Sequence, residues 1–266
     1  MDDAARPDDG TAPAYAARPA HIGEAEWRAR VDLAACYRLA GRHGWDDLIY
    51  THVSLRLPGR DDAFLINPFG LAFAEISASN LLVVDTRGQV IDGTGRRANP
   101  SGFAIHGAVH RARSDAHCVI HLHTTAGIAV SALAEGLLPL SQHALRFWHD
   151  IAYHDYQGLA LGAQEQAQLV AELGDHRAMI LRNHGTLTCG RTVAEAYVLM
   201  HTLEKACAIQ LAALAAAQGG GGLHVPPAEV LERSHAQLTA DSEPEGALEW
   251  PALLRGLLRE DPGFAR

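Results

Sequence analysis

The tightest constraint on the fold is a pair of short apolar runs that both lead to histidine. Cys118-Val119-Ile120 runs into His121-Leu122-His123, and Ala178-Met179-Ile180-Leu181 runs into Arg182-Asn183-His184-Gly185. Apolar runs this short are of strand length. In a strand, residues i and i+2 share a face. His121 and His123 therefore project together, while Cys118, Ile120 and Leu122 face the other way, into a core. His184 arrives from a second strand end. Two strand ends that each deliver imidazole can build a three-nitrogen site with a coordination position left open, as catalytic zinc and related divalent ions require.

Helical periodicity occupies the intervals. Val31, Ala34, Ala35, Tyr37, Leu39 and Ala40 predict a helix from about Glu24 to Arg42, with Gly41 and Gly44 to end it. Phe103, Ile105, Ala108, Val109 and Ala112 predict another over Gly102 to Arg113. Further helices are expected near Ala126–Ala134 and Ala163–Leu173. Thr192-Val193-Ala194-Glu195 has the form of a capping box. It opens a long helix through Tyr197, Met200, Leu203, Cys207 and Leu211 to about Ala217. Alternating segments at Thr51–Leu57, Phe64–Ile66, Leu81–Val84 and Val90–Ile91, separated by Pro58-Gly59, Asn67-Pro68 and Arg87-Gly88, read as strands and turns. Strands mixed with helices of this length predict an α/β fold, helices covering a central sheet.

Three regions follow from composition. Residues 1–22, rich in Ala, Pro and Asp without apolar period, are expected to be a disordered tail. Residues 23–218 form the main domain. Residues 219–266 are a glycine linker followed by a helical appendage, with helices expected at Glu229–Leu238 and Trp250–Leu258, lying over the main domain or a neighbouring subunit. With 48 % hydrophobic residues, the chain can build a substantial core. A formal charge of −9 and no basic block argue against a nucleic-acid or acidic-membrane partner. Neither a leader peptide nor a membrane span is expected. The four cysteines form no Cys-x-x-Cys and suit a reducing, cytoplasmic setting.

Five motifs stand in order along the chain: Asn67-Pro68-Phe69-Gly70; Asn99-Pro100-Ser101-Gly102-Phe103-Ala104-Ile105-His106; His121-Leu122-His123; Ala152-Tyr153-His154-Asp155-Tyr156; and Arg182-Asn183-His184-Gly185. In order and spacing they resemble the class II aldolase/adducin family over about Glu24 to Ala217, its adducin-like bacterial branch above all. The resemblance implies a three-layer α/β/α fold with a mostly antiparallel central sheet. It implies one divalent metal ion (zinc, manganese or iron) held by His121, His123 and His184. It also implies a homotetramer with active sites at subunit interfaces.

Departures from the family pattern narrow the chemistry. The aldolases carry an acid/base glutamate four residues before the histidine equivalent to His106. Here that position is Gly102, which has no side chain to move a proton. Cleavage beside a carbonyl needs both a Lewis acid and a positioned proton carrier. The aldolases' phosphate cradle corresponds to Phe69-Gly70 and Ser101, and a phenyl ring donates nothing to phosphate. The tyrosine they take from an adjacent subunit corresponds to Gln142, followed by His143. Gln142 hydrogen-bonds but does not give up a proton near neutral pH, whereas His143 can. The expected catalytic residues are thus His143, Gln142 and Tyr153, and the expected substrate contacts are Ser101, Phe69, Gly70 and His106.

Other residues read more plainly. His106 and His110 stand i, i+4 on one helix without the glutamate of a zinc-protease motif, so His106 lines the pocket or packs near Ser101. His117 is read as a surface residue. Asn183 is placed to orient a ligand from behind. The implied function is a metal-dependent lyase acting on a carbon–carbon bond beside the carbonyl of an unphosphorylated hydroxy-carbonyl or keto acid. One alternative is a non-haem Fe(II) oxygenase or decarboxylase of an aromatic hydroxy or keto acid, since three neutral ligands suit that chemistry and it needs no glutamate. Another is a non-catalytic adducin-like interaction module.

Overall fold

A computed structural model describes residues 18–158, 162–240 and 244–266, with the side chains of Pro100 and Ser101 outside that description. The helices are α1 (Glu24–Arg42), α2 (Pro100–Ala112), α3 (Thr125–Ser131), α4 (Gln142–Leu145), α5 (Ala163–Leu173), α6 (Val193–Ala217), α7 (Ala228–Thr239) and α8 (Glu249–Glu260). The strands are β1 (His52–Arg56), β2 (Ala63–Ile66), β3 (Leu82–Asp85), β4 (Cys118–Leu122), β5 (Ala152–His154), β6 (Ala178–Leu181) and β7 (Gly185–Gly190). They form one sheet in the order β3-β2-β1-β4-β7-β6-β5. Every neighbouring pair is antiparallel except β5 with β6. The sheet is mostly antiparallel, as expected.

The two faces of the sheet bury against different helices. Val53, Leu55, Cys118, Ile120 and Leu122 pack on α1, α6 and α8. On the opposite face, Val119, Met179, Leu181 and Leu187 pack on α2 and α5, and Phe64, Ile66, Leu82 and Val84 surround Phe103 of α2. Period-two alternation sorts each strand between the layers, which gives the three-layer arrangement.

Local chemistry sets the element ends. Thr192 Oγ accepts the Glu195 N–H at 3.1 Å and caps α6. The Glu195 carboxylate accepts the Arg191 N–H at 2.7 Å rather than that of Thr192, so half of the expected capping box forms. By length and composition α6 is apolar enough to cross a membrane. Its Tyr197, Met200, Leu203 and Cys207 are nevertheless buried in the protein core. The C-terminal segment folds back on α1. Trp250 Nε1 donates to Asp32 at 2.9 Å, Arg38 pairs with Asp261 at 2.8 Å, and Phe264 is fully buried. At the other end, Ile22 is also buried.

Two strands were not expected from the sequence. In β7 the face toward α6 carries Thr186 and Thr188, whose hydroxyls donate to Glu204 and to the Ala196 carbonyl at 3.2 and 2.9 Å. This strand is central yet has no apolar run. β5 has three residues and joins the sheet edge in the parallel sense. Val90–Ile91 supplies only an isolated bridge, Val90 to Val84.

Candidate metal centre

His121 is the penultimate residue of β4, on the face toward α2, and His123 follows just beyond the strand. The exit from β4 is held by Thr124, which caps α3 by accepting the Gly127 N–H at 3.0 Å. His184 arrives from the turn between β6 and β7. Asn183 makes that turn in the left-handed region at φ 56°, a conformation asparagine tolerates better than most residues. The three rings then face one another. His121 Nε2 lies 3.0 Å from His123 Nε2, and the His184 ring centroid is 4.7 and 4.8 Å from theirs. One nitrogen from each of the three lies within 4.8 Å of the others.

The back of each strand-end ring fixes what the front presents. His121 Nδ1 is 3.0 Å from the Thr186 carbonyl, which only accepts, so the hydrogen sits on Nδ1. His123 Nδ1 donates to the Asp47 carboxylate at 3.1 Å. Both Nε2 atoms are therefore lone pairs, and they point at each other. Such an arrangement is repulsive on its own and becomes favourable around a shared cation. Two zinc–nitrogen bonds of ~2.0–2.1 Å meeting at a tetrahedral angle put their nitrogens about 3.3 Å apart, close to what is seen. The second-sphere carbonyl and carboxylate are the partners that metal-bound histidines use. Burial drives His121 well below the ordinary imidazole range, with the His184 and His52 rings adding to the effect. Burial, followed by His123, lowers His184 to about 4. Metal ligands must be unprotonated, so the donor set fits a divalent ion.

A cavity of about 260 Å³ opens over these imidazoles, walled by Asp47, Tyr50, His52, Asn99, Gly102 and Tyr156 among others. No lysine or arginine is among its described lining residues. His52 stands beside His121, with ring centroids 5.5 Å apart. Burial, then the His123 and His184 rings, lowers it to about 3. A Cβ at position 102 would come within 2.2 Å of His52 Nε2. Glycine at 102 is thus the counterpart of histidine at 52.

A strand-end imidazole trio on this sheet, with residues 31–211 matching the Class II Aldolase and Adducin N-terminal domain, decides the family. The chain belongs to the class II aldolase and adducin family. An aldolase II superfamily protein from Pseudomonas syringae is 49 % identical, with a TM-score of 0.88 over 92 % of this chain and 98 % of that one. An L-fuculose 1-phosphate aldolase from Glaciozyma antarctica PI12 is 29 % identical, with a TM-score of 0.80 over 94 % and 97 %. Mouse alpha-adducin is 42 % identical over 222 residues, 82 % of this chain and 30 % of its own length.

Against that family pattern the other expected site residues scatter. Tyr153 lies on the opposite sheet face from His121. It pairs with Ile180 in register, accepts the Leu137 N–H at 3.0 Å and carries the Arg182 guanidinium at 4.5 Å over its ring. It is a packing residue, not a neighbour of the imidazoles. Gln142 and His143 sit on α4 and line a separate cavity of about 490 Å³ with Arg146, Arg177 and Glu245, so within one chain they do not reach the trio. His106 is fully buried behind His52 and does not line the cavity. Phe69 is on a half-exposed turn, its N–H donating to the Arg97 carbonyl at 2.8 Å, and Gly70 follows at φ 100°. Neither borders the cavity. Ser101 lies in the first turn of α2, but its side chain is outside what the structure describes.

Some cavity residues escaped the sequence reading. Asp47 has no motif around it. His52 was detectable, because alternation through β1 puts it with Ser54 on the face that β4 gives to His121. Of the polar run 153–156, Tyr156 reaches the cavity, 6.2 Å from His184 between ring centroids. His154 instead binds Glu172 at 2.6 Å.

Proposed function

We propose that this chain is a divalent-metal-dependent lyase that breaks or forms a carbon–carbon bond beside the carbonyl of a small unphosphorylated hydroxy-carbonyl or keto acid. The convergence of His121, His123 and His184 on one point carries this reading. A divalent ion bound there supplies Lewis acidity toward a carbonyl oxygen. The chain's own residues do the rest. Thr186 and Asp47 hold two rings so that lone pairs face inward. Tyr50 and Tyr156 flank a cavity sized for a molecule of a few carbons. Among the described residues lining this cavity a phosphate dianion would meet no lysine or arginine, which supports an unphosphorylated substrate. Tyr50 of the cavity wall is 50 % exposed and Leu48, two residues before it in the chain, 73 %, and this supports a homotetramer with interfacial sites, through which His143 of a second copy would reach the trio. Four free, buried cysteines support a cytoplasmic setting.

A second reading, a non-catalytic interaction module, draws on the likeness to alpha-adducin. The inward-facing lone pairs rank it second, because a module without a ligand gains nothing from that repulsion. The test is metal analysis of the purified protein, followed by retro-aldol assays on hydroxy ketones and hydroxy acids with and without oxygen. Carbonyl products that disappear on chelation and return with one metal support the lyase. Oxygen uptake matching turnover overturns it in favour of an iron oxygenase, and a folded protein that takes up no metal favours the module.

A further inference from the structure

A line of hydrogen bonds runs from the protein interior to the cavity wall. His110 Nδ1 is 2.8 Å from the Ala116 carbonyl, and His110 Nε2 is 2.7 Å from Ser54 Oγ. Ser54 Oγ is 2.6 Å from His106 Nδ1, and His106 Nε2 is 2.9 Å from His52 Nδ1. All four side chains are buried. With neutral rings this line has a single polarity. A carbonyl only accepts, so His110 Nδ1 carries the hydrogen and His110 Nε2 is a lone pair. The Ser54 hydroxyl must donate to it. Ser54 Oγ then accepts from His106 Nδ1–H, and His106 Nε2 accepts from His52 Nδ1–H. The last atom, His52 Nε2 above Gly102, is left with a lone pair and no hydrogen. Protonating His110 would reverse every bond in the line beyond the one to Ala116. Burial prevents this by lowering that imidazole to about 3.

We propose that His52 is a specificity-determining residue, a hydrogen-bond acceptor of fixed polarity in the cavity wall that selects ligands presenting a hydroxyl donor. Ser54 and His110 are positioning residues that act through it. The inference rests on the lyase reading of the same cavity and deepens it. Of the two substrate classes, a hydroxy-carbonyl or hydroxy acid satisfies the lone pair of His52, whereas a plain keto acid sets acceptor against acceptor. A site built for one hydrogen-bonding partner rejects the analogue that lacks it more strongly than an apolar site rejects a size change.

Two measurements on the full-length protein test this. In two-bond proton–nitrogen spectra of histidine-labelled protein, His52, His106 and His110 are expected as Nδ1–H tautomers. A His52 with hydrogen on Nε2 overturns the proposal. Ser54→Ala cuts the line without touching the cavity wall and is expected to leave His52 and His106 as tautomer mixtures. Unchanged tautomers would reduce Ser54 to packing and overturn its role. For ligand selection, glycolate and methoxyacetate share a carboxylate and differ in the donor hydrogen. Zinc-loaded protein is expected to bind glycolate at least tenfold tighter, and His52→Leu and Ser54→Ala are expected to bring the ratio below threefold. An equal ratio in wild type and both folded variants overturns the proposal while the metal reading stands. Failure to take up zinc sinks the metal reading, and the tautomers still decide the polarity.

Discussion

Two clusters of three histidines stand side by side in this protein, and they use imidazole in opposite ways. In His52, His106 and His110, ring nitrogens are paired head to tail through Ser54 and end on a backbone carbonyl. In His121, His123 and His184, the outer nitrogens of the first two are anchored and the inner ones face each other. The first cluster pairs every ring nitrogen but the last, His52 Nε2, and makes a wall. The second leaves lone pairs converging and makes a site. Histidine count does not separate them, and burial does so only in part, since His121 is as buried as the first cluster while His123 and His184 are half-buried; the direction of each hydrogen bond does.

The largest effect expected from breaking this contrast is at the trio. His121→Ala or His123→Ala should abolish metal uptake and lower turnover by about 10³-fold or more, since the Lewis acid supplies most of the charge stabilisation. Circular dichroism should show the fold retained, and metal analysis checks the loss. Retained stoichiometric metal in either variant would break the comparison. A metal bound at about 1,000 times its Kd should also stabilise the protein by ~4 kcal/mol, visible as a chelator-sensitive Tm.

Next comes the anchor behind the trio. Asp47→Asn keeps the shape but replaces the carboxylate that accepts from His123 Nδ1. Partners of this kind are worth about 10–100-fold in metal affinity, measurable by competition with a chromogenic chelator. An affinity unchanged within threefold would make Asp47 a bystander.

How far the sequence reveals these two clusters differs for a physical reason. His121 and His123 were readable as a pair because strand periodicity fixes which side chains share a face, and an apolar run marks the strand; His184 lies beyond its strand and joined them as a ligand through the family resemblance. α1, α5 and β6 were readable on the same grounds, since burial of one face writes a period into the chain. The anchors were not. Asp47 reaches His123 across 76 residues, and no local pattern encodes that approach. β7 was hidden because its buried threonines are satisfied by partners on α6, so only Leu187 and Cys189 mark its apolar face, too short a pattern to stand out between two glycines. Tyr153 misled for a related reason. A polar tip in a polar run suggests a site, but the pleat turned it to the far face, where its hydroxyl serves the Leu137 backbone.

A smaller effect probes the boundary between the clusters. Gly102→Ala adds a Cβ that would sit 2.2 Å from His52 Nε2, so the ring or α2 must move. Overpacking of this kind costs about 1–3 kcal/mol, partly offset by the ~1 kcal/mol that alanine gains over glycine in a helix. Urea unfolding should show a net loss in Gly102→Ala. In the His52→Ala background the same change should be neutral or stabilising, because the clash is gone. Additive effects in the two backgrounds would mean that glycine at 102 is not there for His52.

The last effect is spread over pH and centres on the buried rings behind His52. Burial holds His110 neutral, at about 3 against an ordinary 6.5. His106 is shifted in the same direction, by burial and then by the neighbouring His52 and His110 rings. Below pH 6.5 the unfolded chain binds protons that the folded chain refuses, so stability is complete above 6.5 and declines as pH falls toward 3. Each such histidine contributes a slope approaching ~1.4 kcal/mol per pH unit, and a loss of ~1.4 kcal/mol by pH 5.5. The carboxylates act in a different window. The Arg113 guanidinium holds Asp115 at about 2, so its contribution is lost only as pH falls below the ordinary 3.8. Urea midpoints in chelator between pH 7.5 and 5 separate the histidine window, which His121 and His184 share with this cluster, from the metal and the acids. A decline that starts near 6.5 matches a wall of neutral imidazoles. A flat profile to pH 5 would mean that these rings accept protons in place, and with that the fixed hydrogen-bond direction at His52 would be lost.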